Sequence, residues 1–287
     1  MGIALGLGAA LSWGLADYFA ALASRTAGVM RVVLGFHLVA MVPLAVLALA
    51  SGELARVMDD QLPVFVFLGA VGWLSYLAFY GALSIGPISV LSPVVSGYAV
   101  VTVLLAVTIS GEHLSPGQTA AVVVTICGAM VASANVRAIA SAKLERRSAL
   151  GFLLALAAMA LLGGFVFGVS YYHHSIGWIA PIFLARGFTV LFLLGQAGAT
   201  GGLRSGLVPR ALVPVTAALA LLDTGGYVFF NIGARHAATS VVATASAPYA
   251  LVPVVMGVSL LGERPTPTQW LGVALVIGGL VMLGLST

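Results

Sequence analysis

The sequence has little charge and almost no cysteine. Charged residues occupy 7% of its 287 positions, whereas a soluble domain carries roughly 25%. Twelve Lys/Arg and eight Asp/Glu side chains are too few to keep the surface of such a chain in water. The single cysteine, Cys127, lies in an apolar run, so no internal disulfide is possible and a buried packing role is predicted. The composition therefore excludes a soluble domain and a disulfide scaffold.

Long apolar segments are what the chain has instead, since 61% of its residues are hydrophobic. A helix that crosses the hydrocarbon core of a membrane needs about 20 apolar residues, and lipid tolerates only helices or closed barrels. The apolar runs are too long and too unalternating for barrel strands. The sequence therefore predicts an all-α integral membrane protein with ten transmembrane helices. The spans are placed near residues 2–23, 31–51, 62–84, 88–109, 116–135, 149–171, 178–198, 211–234, 239–261 and 268–286.

An internal repeat divides the chain near its middle, where residues 135–148 form the one long polar connector. A shift of 151 residues superposes Glu, Gln, Pro and Tyr residues, which match by chance far less often than Ala, Val or Leu. The matches include Tyr76 on Tyr227, Phe79 on Phe230, Tyr98 on Tyr249, Gly111-Glu112 on Gly262-Glu263, Pro116 on Pro267, Gln118 on Gln269 and Gly128 on Gly279. We predict one five-helix repeat over 2–135, a connector over 136–148 and a second repeat over 149–286.

The odd number of helices in each repeat determines how the two copies lie in the membrane. After five crossings the chain is on the opposite side, so the second repeat enters in inverted topology. In transporters, inverted repeats enclose the substrate site near the midplane of the membrane and rock against each other for alternating access. The duplication therefore predicts a central cavity between the repeats.

Each repeat has a Gly-Glu-x-x-x-Pro-x-Gln pattern before its last span. Ser115-Pro116 and Thr266-Pro267 predict a hydroxyl N-cap followed by proline at the first helical position. Glu112 and Glu263 can lie near the positive end of the helix that follows. We favour a turn-forming role for this pattern over contact with a substrate.

Three charged residues, Asp17, Arg186 and Asp223, fall inside predicted spans. A charge near the bilayer centre costs about 2.5–3.5 kcal/mol, so such residues usually face a cavity or a partner. Asp17 is one turn from Trp13, and we interpret it as binding a proton or a cationic substrate group beside an indole wall. The alternative is a helix-to-helix hydrogen bond or an ion pair with Arg186. Arg186 itself could also extend to the lipid headgroups.

Aromatic and polar residues share one face on two repeat-equivalent spans. Asp223, Tyr227 and Asn231 are spaced i, i+4, i+8, and Tyr76 and Tyr80 lie on the corresponding face of the third span. This spacing predicts a cavity lining. The alternative is that the rings pack between helices, with each hydroxyl bonded to a backbone carbonyl.

Two further tyrosines, Tyr98 and Tyr249, are candidates because both repeats keep them. His37, in the second span, adds a titratable group, although a structural hydrogen bond to a neighbouring helix is the favoured role. These residues complete the predicted set for substrate binding or proton coupling.

Three segments are distinctive: LLGERPTPTQWLGVALVIGGLVML at 260–283, ISGEHLSPGQTAAVVVTICGAMV at 109–131, and Ser12-Trp13-Gly14. In these segments the sequence resembles the EamA-type domain of the drug/metabolite transporter superfamily. The resemblance implies ten helices around a central polar cavity and transport of amino acids, metabolites, sugars or drugs. Such domains commonly carry an arginine in the first half of helix 2. Arg186 fits that place in the second repeat, whereas His37 occupies it in the first.

No catalytic motif competes with transport. The chain contains no His-Glu-x-x-His, phosphate-binding glycine loop or nucleophile elbow, and His173-His174 fit an interfacial belt better than a metal site. We therefore expect no enzyme activity, cofactor, metal or nucleic-acid partner. The expected function is secondary transport of a small metabolite, such as an amino acid, a sugar or a cationic drug-like solute. Proton-coupled exchange or efflux by alternating access is one form of it.

Two other functions stay open beside transport. The protein could be a non-transporting membrane scaffold or sensor that binds a lipid or a partner protein. An intramembrane enzyme acting on lipid is disfavoured by the missing catalytic residues. Saturable binding without counterflow would indicate the scaffold, and turnover of a lipid would indicate the enzyme.

Positive charge is distributed unequally between the two sets of connections. Connections after spans 1, 5, 7 and 9 carry nine Lys/Arg residues, and those after even spans carry two, Arg56 and Arg235. The positive-inside rule then predicts the 136–148 connector in the cytoplasm and both termini outside, whereas the resemblance implies termini inside. Abundant Ala and Gly with short loops suggest a multi-pass protein of a bacterial inner membrane. It is expected as a monomer or homodimer, because two fused repeats can form the working unit alone.

Overall fold

A computed structural model describes residues 1–85, 91, 94–133, 146–173, 175–201, 208–252, 255–256 and 266–286. The regular structure in these residues is helical, as the sequence predicts. The longer helices are α1 (Gly2–Ala27), α2 (Val29–Ser51), α3 (Leu62–Ile85), α4 (Tyr98–Thr108), α5 (Pro116–Ser133), α6 (Arg146–Tyr171), α7 (Ala180–Ala199), α8 (Val213–His236), α9 (Thr239–Ser246) and α10 (Pro267–Ser286). Short 3-10 turns cover Glu53–Arg56, Asp59–Gln61, Arg210–Leu212 and Ala247–Ala250.

Seven helices in the described residues are long and apolar enough to cross a membrane, and the apolar helices over Val94–Thr108 and Pro116–Val131 are shorter. Parts of the predicted spans 88–109 and 239–261 lie outside the described residues. Large apolar side chains such as Leu11, Leu104 and Ile277 point outward and are more than half exposed. This outward apolar surface is what a bundle surrounded by lipid requires.

The helices of the two halves, α1–α5 and α6–α10, interlock. In one direction α1 packs against α8 and α9, and in the other α6 packs against α3 and α4. Helices α2 and α7, α4 and α9, and α5 and α10 pack in pairs of repeat equivalents. Each half therefore inserts its first helix between helices of the other.

The pairing of α5 with α10 depends on two repeat-equivalent glycines. A Cβ atom on Gly128 would lie 2.8 Å from the Leu275 Cβ atom, and a Cβ atom on Gly279 would lie 2.3 Å from the Thr125 hydroxyl. Small residues at these positions let the two backbones approach closely, as at many membrane helix interfaces. The prediction for Cys127 is wrong: its side chain is exposed, because α5 buries the neighbouring Gly128 against α10.

The predicted caps of α5 and α10 are confirmed, and they explain the glutamine of the repeated pattern. The amide of Gln118 donates to the Ser115 hydroxyl at 3.2 Å, and the amide of Ser115 donates to the Gln118 side chain at 2.8 Å. Thr266 and Gln269 form the same reciprocal pair at 3.3 and 2.9 Å. Both repeats thus begin their last helix with a capping box.

The sequence suggested that Glu112 lies near the start of the helix that follows it, α5, but its carboxylate bonds to the start of a different helix. Gly111 adopts a φ of +66°, and the Glu112 carboxylate accepts hydrogen bonds from the amides of Thr239 and Ser240 at 2.8 and 3.0 Å. These amides begin α9 in the other half, where the positive end of the helix dipole favours a carboxylate. The residue therefore joins the halves. Its repeat equivalent, Glu263, lies outside the described residues.

A second carboxylate makes the same kind of link. Glu53, between α2 and α3, accepts from the amides of Trp178, Ile179 and Ala180 at 3.2, 2.9 and 3.0 Å. These amides precede and begin α7 in the other half. Gly177 allows the approach, because a Cβ atom there would lie 2.0 Å from the Glu53 carboxyl carbon.

Candidate functional site

Two repeat-equivalent helices are interrupted at the centre of the bundle. α4 begins after a turn at Gly97, and α9 ends at Ser246, where the 3-10 turn Ala247–Ala250 follows. The residues that come directly after Gly97 and Pro248 are Tyr98 and Tyr249, whose ring centroids are 5.7 Å apart. Interrupted helices commonly mark the binding site of a transporter.

A small cavity lies between the halves at this point. Its volume is about 40 Å³, which is room for roughly two or three water molecules. It is lined by residues from both halves: Trp13, Asp17, Tyr76, Phe79, Tyr80, Tyr98, Leu162, Val166, Asp223, Tyr227 and Tyr249.

Trp13 forms one wall of the cavity and crosses to the other half. Its indole N–H donates to the Asp223 backbone carbonyl at 3.2 Å. Its ring meets Tyr227 edge to face, with centroids 5.0 Å apart and planes at 70°, and Tyr98 at 6.1 Å and 84°. The indole fits because residue 226 is glycine, where a Cβ atom would lie 2.3 Å from the indole nitrogen.

Arg186 and Asp223 form a buried ion pair beside the cavity. One guanidinium nitrogen, Nη2, donates to Asp223 Oδ2, and Nη1 donates to the Thr224 hydroxyl at 3.3 Å. The arginine side chain is fully buried, so it does not extend to the headgroups. An ion pair between Arg186 and Asp17 is not formed. The charges of the arginine and of Asp223 therefore compensate each other.

Tyr76 links this ion pair to Tyr227, its own repeat equivalent. Its hydroxyl accepts from Arg186 Nη2 at 3.1 Å and donates to Asp223 Oδ1 at 3.2 Å. The hydroxyl oxygens of Tyr76 and Tyr227, which are repeat equivalents, are 3.2 Å apart. The guanidinium carbon lies 5.0 Å from the Tyr227 ring centroid, a distance typical of a cation–π contact.

Asp17 has a different environment from Asp223. Its side chain lines the cavity and is 9% exposed. Among the residues that the structure describes, no hydrogen-bond donor or cation contacts its carboxyl group. Of the two predicted carboxylates, one is thus fully engaged and the other is available to a bound solute or proton.

Two predicted residues lie away from the cavity. His37 is buried and its Nδ1 atom lies 2.8 Å from the Val33 carbonyl, a bond within its own helix, while its ring packs against Tyr76 with centroids 4.6 Å apart. Asn231 donates to the Trp178 carbonyl at 3.0 Å, in the connection between α6 and α7. Both residues support the surrounding structure rather than the cavity wall.

Four residues at or beside the cavity were missed by the sequence reasoning. Phe79, Leu162 and Val166 line the cavity, and Thr224 bonds Arg186. Phe79 carried a usable signal, because its repeat equivalent is also phenylalanine. Leu162 and Val166 carried none, since leucine and valine are common throughout the spans.

The described side chains of the site form no grouping suited to a metal. Within the described ranges, no three His, Cys, Asp or Glu side chains converge. His173 bonds the Ser170 carbonyl through its ring, and His174 lies outside these ranges. The arrangement can hold a cation, a proton or a small solute, and among the residues that the structure describes there, no nucleophile has a base beside it.

The fold is that of a multi-pass helical membrane protein, and comparison with known families gives its class. The EamA-like transporter family model matches residues 1–134 and 149–285. The chain therefore belongs to the EamA-like transporter family. The crystal structure of another protein superposes with a TM-score of 0.75, covering 99% of this chain and 96% of the other at 18% identity, which supports the fold alone. Among curated proteins, none matches significantly.

Proposed function

We propose that the protein is a secondary transporter that moves a small metabolite by alternating access between two inverted five-helix repeats. The repeats extend over 2–135 and 149–286, joined by the 136–148 connector, and make ten membrane crossings. One observation carries the proposal: the pairs Tyr76/Tyr227 and Tyr98/Tyr249, each made of repeat equivalents, meet at the central cavity. A site on the axis between repeats is the place where rocking motion changes access.

The size of the cavity supports a two-state cycle. A volume of about 40 Å³ is too small for an amino acid or a sugar, so a solute enters only when the repeats move apart on one side. Membership in a transporter family and the interlocked helices favour such motion as a rigid-body rearrangement. A scaffold or sensor with the same cavity would bind a solute without moving it across the membrane.

Proton coupling is the proposed driving mechanism, with Asp17 as the exchanging group. A buried carboxylate without a partner is strongly disfavoured in the charged form, so it holds a proton until a cationic solute binds or water reaches it. Asp223 is compensated by Arg186 and has a supporting role. The protein would act in a bacterial inner membrane as a monomer or homodimer, with efflux as one direction.

Flux measurements on reconstituted protein test this proposal. Proteoliposomes that contain a pH-sensitive dye would be given inward gradients of alanine, phenylalanine, glucose and choline in turn. At least one solute is expected to give saturable counterflow together with a change in internal pH. Asp17→Asn should abolish the pH change, and Asp60→Asn, at an exposed carboxylate in the 3-10 turn before α3, should leave it intact.

Two results would count against the proposal. Saturable binding of a solute without counterflow would indicate a scaffold or sensor instead. Full pH-gradient-driven flux in both Asp17→Asn and Asp223→Asn would exclude the carboxylates from coupling.

A further inference from the structure

The cavity contains one carboxyl group, that of Asp17, which has no partner among the described residues. Arg186 and Asp223 neutralise each other, and Tyr76 and Thr224 add hydrogen bonds to that pair. Asp17 is left with no hydrogen bond or ion pair to any described residue, although its side chain is 9% exposed and lines the cavity. Removing a carboxylate from water without a compensating partner is costly. The partner must therefore arrive from outside the protein, as a proton or as a cation.

The walls around Asp17 suit a cation with a carbon-rich surface. Trp13, Tyr98, Tyr227 and Tyr249 surround the space, and the indole meets two of the tyrosine rings edge to face. Rings that enclose a space at steep angles can present their faces to it, and aromatic faces attract organic cations. Phe79, Leu162 and Val166 make the remainder apolar.

The same walls disfavour the other solute classes. A zwitterionic amino acid would bring a carboxylate, but the buried cation Arg186 is already paired with Asp223 and does not line the cavity. A sugar needs many hydrogen-bonding partners, yet the Trp13 indole bonds the Asp223 carbonyl and the Tyr98 hydroxyl bonds Ser246 at 2.7 Å, which leaves Asp17 and the hydroxyls of Tyr80 and Tyr249 to serve it. Each would leave polar groups unpaired in an apolar site.

We infer that the cavity, once the repeats move apart to admit a solute, selects small monovalent organic cations, such as quaternary or protonated amines without a carboxylate, and that Asp17 is the residue that binds the cationic group. This inference rests on the proposed transport function for its site, but it concerns binding and can be tested without flux. Cation and proton compete for the same carboxyl group, so each cation bound displaces a proton.

The charged and titratable groups around Asp17 set the expected pH response. Asp223 on α8 and the phenols of Tyr80, Tyr98, Tyr227 and Tyr249 interact with it electrostatically. On α2 and α7, His37 packs on Tyr76 and Arg186 is paired with Asp223. Asp17 is the carboxyl group among these without a cation beside it. Affinity for the cation should therefore rise with pH.

Three probes of nearly equal size separate the classes by charge. Choline is a cation, 3,3-dimethyl-1-butanol is its neutral carbon analogue, and glycine betaine is a zwitterion. Isothermal titration of the purified full-length protein in detergent is expected to show saturable binding of choline alone. Repeating the titration in buffers of different ionisation enthalpy should show about one proton displaced per choline.

Variants at Asp17 and at an unrelated carboxylate complete the test. Asp17→Asn should weaken choline binding by at least about tenfold and remove the proton displacement, because the charge partner is lost. Asp17→Glu should retain both, and Asp60→Asn should match the wild type. If Asp17→Asn does not fold, the rise of wild-type affinity with pH is decisive instead.

Several outcomes would overturn the inference, and they differ from failure of transport. Equal binding of the neutral analogue or of betaine, the absence of choline binding, or unchanged affinity in a folded Asp17→Asn protein would each do so. Asp17-dependent choline binding without counterflow would refute transport while leaving the inference intact. Counterflow of alanine or glucose that does not need Asp17 would support transport and refute the inference.

Discussion

Asp17 and Asp223 have the same chemistry and opposite surroundings, and the difference comes from a single arginine. Arg186 lies on α7 and bonds the Asp223 carboxylate on α8 of its own half and the Tyr76 hydroxyl on α3 of the other half. The pair therefore joins three helices at the centre of the bundle. Its value to stability is best measured by removing each partner in turn, because breaking a buried pair leaves one charge uncompensated.

Arg186→Gln and Asp223→Asn are each expected to lower the free energy of unfolding by about 3–5 kcal/mol. The double variant should lose less than either single variant, because no buried charge is left without a partner. Thermal unfolding in detergent gives the comparison, with Asp60→Asn as the control. A double variant whose loss equals the sum of the two single losses would mean that the pair is not coupled.

Gly226 and Gly225 make a matched test of the Trp13 wall. A Cβ atom at 226 would lie 2.3 Å from the indole nitrogen, whereas one at 225 meets the Ser12 hydroxyl at an ordinary 3.8 Å. Gly226→Ala should destabilise the protein by about 1–3 kcal/mol through overpacking, and Gly225→Ala should not. Equal melting temperatures for the two variants would contradict the placement of Trp13.

At this scale the repeat predicted more than the individual residue types did. Tyr76, Tyr98, Tyr227 and Tyr249 were selected because both copies keep them, and all four line the cavity. The partner of Arg186 could not be chosen from sequence, since two intramembrane carboxylates were available and the choice depends on how each helix is rotated. Asn231 fitted the i, i+4, i+8 spacing, but the face drifts along the helix and brings it to the Trp178 carbonyl.

Between elements, two carboxylates hold the halves together at helix starts. Glu53 caps α7 and Glu112 caps α9, each from the opposite half. A carboxylate at a helix start is stabilised by several amides and by the helix dipole. These links therefore favour the arrangement in which the bundle is closed on the side of the α2–α3 and α4–α5 connections. Opening that side requires the amides to exchange protein oxygen for water.

Hydrogen exchange can detect each link separately. Glu53→Ala should speed exchange of the amides at 178–180 by at least about tenfold, because three donors lose their acceptor, and should leave those at 239–240 unchanged. Glu112→Ala should show the opposite pattern. The two variants therefore serve as each other's control, and mass spectrometry of peptides over both helix starts gives the readout.

Equal protection in wild type and Glu53→Ala would exclude the proposed link at α7. Faster exchange at both helix starts in each variant would indicate loss of the whole fold instead of a local opening. Circular dichroism at the same temperature distinguishes that case.

The sequence predicted the helices better than it predicted these links. Apolar length and the Ser/Thr-Pro caps located the helices, because both signals are local. Glu53 could not be found, since its partners are backbone amides and position 204, its repeat equivalent, is arginine. Glu112 was noticed through the repeat, but its partner helix is distant in sequence. Contacts between a side chain and a remote backbone leave no residue pattern to read.

For the whole molecule, the interlocked packing explains why a duplicated chain works as one unit. α1 rests on α8 and α9 while α6 rests on α3 and α4, so neither half can bury its first helix alone. Gly128 and Gly279 then bring α5 and α10 together as an equivalent pair. Such an arrangement is expected if the halves are inverted copies that exchange roles as the protein changes state.

Inversion predicts that repeat-equivalent loop residues lie on opposite sides of the membrane. Met58 and Pro209 are separated by the 151-residue repeat shift, are both exposed, and change no charge when replaced. In a Cys127→Ala background, Met58→Cys should react with an impermeant maleimide in intact cells, as the Lys/Arg distribution requires. Pro209→Cys should react only after permeabilisation. Reaction of both residues from outside would refute inversion. The reversed pattern would keep inversion and place the termini inside, because only the sign of the orientation would change.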